Sequence, residues 1–244
     1  MGNYRLTLSY DGSRYRGWQR QGNTAGTIQG KLEDTLSRIL AQRVELAGAG
    51  RTDAGVHARM QTASFRADTP LSPEEILARL REHLPEDIGA EALEPAAPRF
   101  HARLNCVGKT YVYRIWNSAL PCVFERKYVW RVPEPLDTAA MRSAARALEG
   151  SHDFAAFRTG RGKASTRRTI ASVALEREGQ ELRMRFTGNG FLYNMVRILT
   201  GTLVEVGLGK RAPDEIAAIL ESRDRAKAGP TAPACGLCLW EVYY

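Results

Sequence analysis

The order in which residue periodicity changes over the first hundred positions constrains this fold more than any other feature. Tyr4, Leu6, Leu8 and Tyr10 alternate at strand period, and Ile28, Leu32, Leu36, Ile39 and Leu40 then line one face of a segment opening near Thr27, at helix spacing. Short strand candidates follow at residues 44–47 and 60–65. A second helix is announced by Ser72 at its N-cap, Pro73 at its first position and Glu75 at the capping-box position, with Ile76, Leu77, Leu80 and Leu84 as its apolar face. A strand at 88–93 completes the sequence strand, helix, strand, strand, helix, strand, which is the split ferredoxin-like unit.

The second half repeats this theme loosely. Residues 110–116 alternate as a strand and 136–148 read as a helix. Segments 168–176 and 182–186 flank a Glu178-Gly179 turn as a hairpin. Residues 191–206 and 213–220 read as helices and 237–243 as a closing strand. The pattern predicts an α+β fold of two similar ferredoxin-like halves with antiparallel sheets, residues 1–104 and 105–244, joined near Asn105 with a cleft between them. At 244 residues the chain is long enough for one large domain or two small ones.

A nonapeptide between the two short strand candidates, Gly50-Arg51-Thr52-Asp53-Ala54-Gly55-Val56-His57-Ala58, has the make-up of an active-site loop. Asp53 acting as nucleophile or base needs a partner that keeps it ionised, and Arg51 is one of several candidates. The glycines let backbone approach a substrate closely. The plainer reading is that Thr52 and Asp53 hydrogen-bond the backbone of a tight turn.

Charge bears on the choice. The chain carries 35 Lys plus Arg against 27 Asp plus Glu, a net charge of +8, and only six of its cations are lysines. A field made mostly of guanidinium groups suits phosphates and stacked bases, although genome composition bias yields the same excess. The string from Tyr10 to Gln21 interleaves Arg14, Arg16, Trp18 and Gln19 in the same spirit. At strand period Arg99, His101 and Arg103 point one way, a spacing that grips a nucleic-acid backbone. Lys109, Tyr111 and Tyr113 share a strand face from which a ring can stack on a base; core packing is the competing role, more so for Tyr113. Helix periodicity places Asn194 and Arg197 near the face of Asn189 to Phe191. Arg197 lies among apolar residues, where a guanidinium calls for a carboxylate, and Asp53 is the attractive candidate.

The four cysteines, at 106, 122, 235 and 238, give no disulfide framework, and the lone Cys235-x-x-Cys238 pair lacks the second ligand pair of a zinc site. No apolar run is long enough to span a bilayer, and no signal peptide is expected. A cytoplasmic protein without a metal is predicted.

Five strings in order carry a resemblance: the Gly50 to Ala58 loop, Arg99-Phe100-His101-Ala102-Arg103, Lys109-Thr110-Tyr111-Val112-Tyr113, Asn189 to Arg197, and Ala232-Pro233-Ala234-Cys235-Gly236-Leu237. Together they resemble the bacterial tRNA pseudouridine synthase A family over the whole chain. The resemblance implies isomerisation of uridine to pseudouridine at positions 38, 39 and 40 of the tRNA anticodon stem-loop, by a homodimer with no metal or organic cofactor. It implies Asp53 as the catalytic aspartate, attacking ribose C1′ or assisting a glycal route. Tyr111 is then the ring stacked on the flipped base, Arg197 the partner of Asp53, and Arg51 the side chain filling the vacated space. Arg14, Arg16, Gln19, Arg99, His101, Arg103, Lys109 and Asn194 become RNA contacts. Arg167 stands where the family more often has an apolar residue, and is read as an extra phosphate contact or a neutral exchange. Two rival classes are a non-catalytic tRNA-binding or chaperone module using the same basic surface, and an aspartate-based hydrolase or phosphotransferase. The latter lacks a metal cluster and a phosphate-binding glycine loop.

Overall fold

A computed structural model describes residues 1–22, 26–160 and 165–244. Among them the fold is α+β with five α-helices, and the chain divides into two compact units, Met1–Val107 with Cys238–Tyr244, and Gly108–Leu237.

The first unit runs β1 (Gly2–Tyr10), α1 (Ile28–Ile39), β2 (Ala47–Gly48), β3 (His57–Ala67), α2 (Pro73–His83) and β4 (Ile88–Pro95). β1 pairs antiparallel with both β3 and β4, and β2 pairs antiparallel with β3. The order β4-β1-β3-β2 is that of the split ferredoxin-like unit the periodicity predicts. Leu6 and Leu8 of β1, Ile28, Leu32 and Leu36 of α1, and Ile76 and Leu80 of α2 are all fully buried. Burying each stabilises the unit by roughly 1.5–3 kcal/mol before chain entropy is counted. Both helices start where the caps require. The Thr27 hydroxyl accepts from the Gly30 amide, and Ser72 and Glu75 form a capping box with both bonds present.

Two local expectations change. Only Ala47 and Gly48 join the ladder in place of a 44–47 strand, because side chains of α1 hold the preceding backbone. Glu33 Oε1 accepts the Leu46 amide at 3.0 Å, Gln29 Nε2 donates to the Leu46 carbonyl at 3.0 Å, and Ser37 Oγ accepts the Val44 amide at 3.0 Å. At the other end, β3 begins at His57, where β1 pairs with it through Tyr10 opposite Ala58 and β10 (Leu237–Tyr243) runs parallel to it, Cys238 opposite His57 and Leu239 opposite Ala58.

The second unit contains β5 (Gly108–Trp116), β6 (Trp130–Arg131), α3 (Thr138–Arg146), β7 (Gly150–Asp153), β8 (Arg167–Glu178), β9 (Glu181–Gly188), α4 (Met195–Gly207) and α5 (Glu215–Ser222). β5, β9, β8 and β7 pair antiparallel in that order, and β6 lies parallel to β5. The arrangement β5-β9-β8, with α3 and α4, repeats β1-β3-β2 with α1 and α2, which is the loose repeat read from the sequence. Residues Cys238–Tyr244, at the end of the chain, group with the first unit. Tyr113, Ile115, Leu182, Met184, Phe186, Met141 and Leu199 make the core.

Candidate active site

The loop between β2 and β3 is held from both sides by hydrogen bonds. The Trp18 amide donates to the Thr52 carbonyl at 3.0 Å, the Gly55 amide to the Tyr15 carbonyl at 3.3 Å, and the Val56 amide to the Asp53 carbonyl at 3.1 Å. From β3, Gln61 Nε2 donates to the Gly50 carbonyl at 2.8 Å. The Tyr10 and Thr52 hydroxyls meet at 2.8 Å in the interior, and burial keeps the Tyr10 phenol protonated by pushing its pKa up. Gly12 is packed so tightly that a Cβ there would come within 2.0 Å of the Val56 carbonyl oxygen. Its amide donates to His57 Nδ1 at 3.1 Å, and that nitrogen also lies 3.1 Å from Asp11 Oδ1.

This scaffold leaves Arg51 exposed and Asp53 half-buried, with the backbone of Asp53 fixed on either side. Thr52 does not serve the turn with its side chain; its hydroxyl is committed to Tyr10 in the core. Rigid backbone beneath a partly exposed carboxylate is what a catalytic group needs. Tyr10 and Gln61, which supply that rigidity, carry no sequence signal beyond inward-facing strand positions.

The segment after β1 divides its predicted RNA contacts. Arg14 is exposed but ion-paired, its Nε and Nη2 donating to Asp87 Oδ2 at 2.9 and 2.5 Å, while the Tyr15 hydroxyl donates to Asp87 Oδ1 at 2.6 Å. Arg16 is exposed and Gln19 half-buried, whereas Trp18 is a core residue.

Arg99 to Arg103 form a turn and not a strand, so strand period does not align their side chains. The physical cause is local capping. His101 Nδ1 accepts the Arg103 and Leu104 amides at 3.1 and 3.3 Å, and Asn105 Oδ1 accepts the His101 amide at 2.8 Å. Ala102, fully buried, donates its amide to Ser64 Oγ at 3.0 Å and anchors the turn, which leaves Arg99 and Arg103 exposed and His101 half-buried.

In the second unit, Lys109, Tyr111 and Tyr113 alternate along β5 as expected. Tyr113 is a core residue whose hydroxyl donates to the Pro233 carbonyl at 2.7 Å. Lys109 is half-buried. The Tyr111 ring is met edge-on by Phe191, with centroids 5.2 Å apart and planes at 85°. Helix α4 starts at Met195, four residues later than the periodicity predicts, because Asn194 adopts a left-handed backbone with φ of 60°. Asn194 and Arg197 nevertheless meet. Arg197 Nη1 donates to Asn194 Oδ1 at 2.8 Å and its Nε to the Ala232 carbonyl at 2.7 Å, while Asn194 Nδ2 donates to Thr159 Oγ1 at 2.7 Å. Arg197 is half-buried, its guanidinium aimed by two fixed acceptors.

Among the described residues no group of His, Cys, Asp or Glu could hold a metal ion, and no helix is long and apolar enough to cross a membrane. The Cys235 thiol, raised in pKa by burial, lies 3.5 Å from the Val129 carbonyl.

The tRNA pseudouridine synthase family model matches residues 7–105 and 144–244, and the chain belongs to that family. It is 43% identical over the full length of both chains to tRNA pseudouridine synthase A 2 of Bacillus anthracis. It is 46% identical to tRNA pseudouridine synthase A of Pelobacter propionicus, over 98% of each chain. A solved H/ACA ribonucleoprotein bound to a substrate RNA containing 2′-deoxyuridine aligns at 11% identity with a TM-score of 0.38, over 83% of this chain and 42% of that one.

Proposed function

We propose that this protein isomerises uridine to pseudouridine at positions 38, 39 and 40 in the anticodon stem-loop of tRNA, as a homodimer, with Asp53 as its catalytic group. The anchored Asp53 loop supports this reading most directly, together with family membership over most of the chain. The reaction is balanced without a co-reactant: the C1′–N1 bond breaks, a C1′–C5 bond forms, C5 loses a proton and N1 gains one.

Each remaining residue has a physical task. A uridine in a stacked stem must be flipped out at a cost of a few kcal/mol, and exposed Arg51 fills the space it leaves. Tyr111 stacks on the flipped base and helps remove the C5 proton. Arg197 pairs with Asp53 and keeps it ionised. Arg14, Arg16, Gln19, Arg99, His101, Arg103, Lys109 and Asn194 serve the RNA around it, Arg14 with the donors that Asp87 leaves over.

Asp53→Asn tests the assignment. The isosteric amide cannot act as a nucleophile, so pseudouridine formation is expected to vanish while tRNA affinity stays within about threefold of wild type. Turnover by the variant would overturn the role of Asp53. Light scattering tests the dimer.

A further inference from the structure

Arg168, on β8, is a half-buried arginine of the second unit. Two other arginines of the unit, Arg114 and Arg211, each meet two carboxylates: Glu181 and Glu125 for the first, Glu205 and Glu215 for the second. Arg168 meets none among the described residues. Its Nη1 donates to the Ser165 and Arg167 carbonyls at 3.0 and 2.6 Å. Its Nε and Nη2, the side of the guanidinium that matches two oxygens of one anion, have no partner among the described residues. Partial burial lowers its pKa from the ordinary arginine value, and no carboxylate among the described residues offsets that shift.

Its location gives this arrangement a use. Thr169 and Asn189 exchange two bonds, the Asn189 amide to the Thr169 carbonyl and the Thr169 amide to Asn189 Oδ1, both at 3.0 Å. Gly188 allows the strands this close, since a Cβ there would be 2.7 Å from the Thr169 carbonyl oxygen. The next residue, Gly190, then lies over Arg168, with its Cβ direction 3.6 Å from Nε, and Phe191 turns onto the ring of Tyr111 at 5.2 Å. One short turn therefore touches both the guanidinium and the tyrosine.

We infer that Arg168 is a phosphate anchor beside the Tyr111 ring, its Nε and Nη2 taking two oxygens of one phosphodiester in the RNA strand that carries the target uridine. The inference rests on the proposed role of Tyr111 as the base platform. A phosphate held there fixes the backbone while the base is stacked, and supplies a counter-charge that none of the described residues gives Arg168.

The test uses the full-length protein and an unmodified tRNA transcript, with binding and turnover measured from low to physiological salt. Arg168→Gln is expected to raise Kd and KM about tenfold, the loss of one charge-assisted contact, while the single-turnover rate at saturating RNA changes less than about threefold. The slope of log affinity against log salt should become shallower by ~0.7–0.9, one phosphate fewer. Arg168→Lys, which can keep a bond to the Ser165 or Arg167 carbonyl, should regain the slope but only part of the affinity, because an ammonium lacks the fork. An unchanged slope in Arg168→Gln overturns the inference, including the case where melting temperature and turnover fall together, which marks a purely structural arginine. Wild-type turnover on the same RNA tests the proposed function separately, since the salt slope is read from binding alone.

Discussion

The Tyr10 and Thr52 hydroxyls lie 2.8 Å apart beneath the loop that carries Asp53, and both residues are buried. The bond joins the end of β1 to the residue before the aspartate, so a strand placed by hydrophobic burial sets the height of the carboxylate. Gln61 supports the same loop from β3 through the Gly50 carbonyl.

Tyr10→Phe removes this support without changing the shape of the core. One buried hydroxyl, Thr52, is left behind, which should lower stability by about 1–3 kcal/mol, measurable by urea denaturation. Turnover should fall by more than tRNA affinity does, because the variant loosens the chemistry and not the RNA surface. Equal losses in both would show that the bond does not position the loop.

Asn194 separates backbone from side-chain roles. Its φ of 60° suits glycine, so Asn194→Gly should fold with little loss of stability, yet lose the bonds to Thr159 and Arg197. Turnover is expected to drop at least tenfold as Arg197 loses its Asn194 acceptor. Asn194→Ala should be less stable than Asn194→Gly by about 1 kcal/mol, the strain of a Cβ in this conformation. Melting curves for the pair check the second point and single-turnover assays the first.

Glu181, opposite Trp116 where β9 pairs with β5, carries an acid-sensitive part of the second unit's stability. Hydrogen bonds from Arg114, aided by Arg183, hold its pKa at about 2 against an ordinary 4.5. A carboxylate depressed in the folded state stabilises fully above its unfolded pKa. That contribution fades as pH falls from about 4.5 towards 2. Glu181→Gln should therefore flatten the stability profile in that window, read by denaturant midpoints at successive pH values. An unchanged acid limb would assign the loss to other groups.

The fold was legible wherever one period ran long enough. β1, α1 and α2 follow from Leu6 and Leu8, from Leu32 and Leu36, and from the Ser72 capping box, all of which act locally. Backbone satisfied by side chains was not legible: Glu33 and Gln29 take the place of a strand partner at Leu46, and His101 turns a strand-like pattern into a capped turn. The late start of α4 depends on one residue, Asn194, in a backbone state that apolar periodicity does not register. At the site, the Asp53 loop stood out by its glycines and charges. Tyr10, Gln61 and Arg168 did not, because their importance comes from what they touch in three dimensions.

The most direct measurement incubates the protein with an unmodified tRNA transcript bearing uridines at 38, 39 and 40, followed by carbodiimide labelling and primer extension. New stops at those positions with wild type, and none with Asp53→Asn, are expected. Tight, salt-dependent binding without any stops from wild type would contradict catalysis and leave a tRNA-binding module in its place.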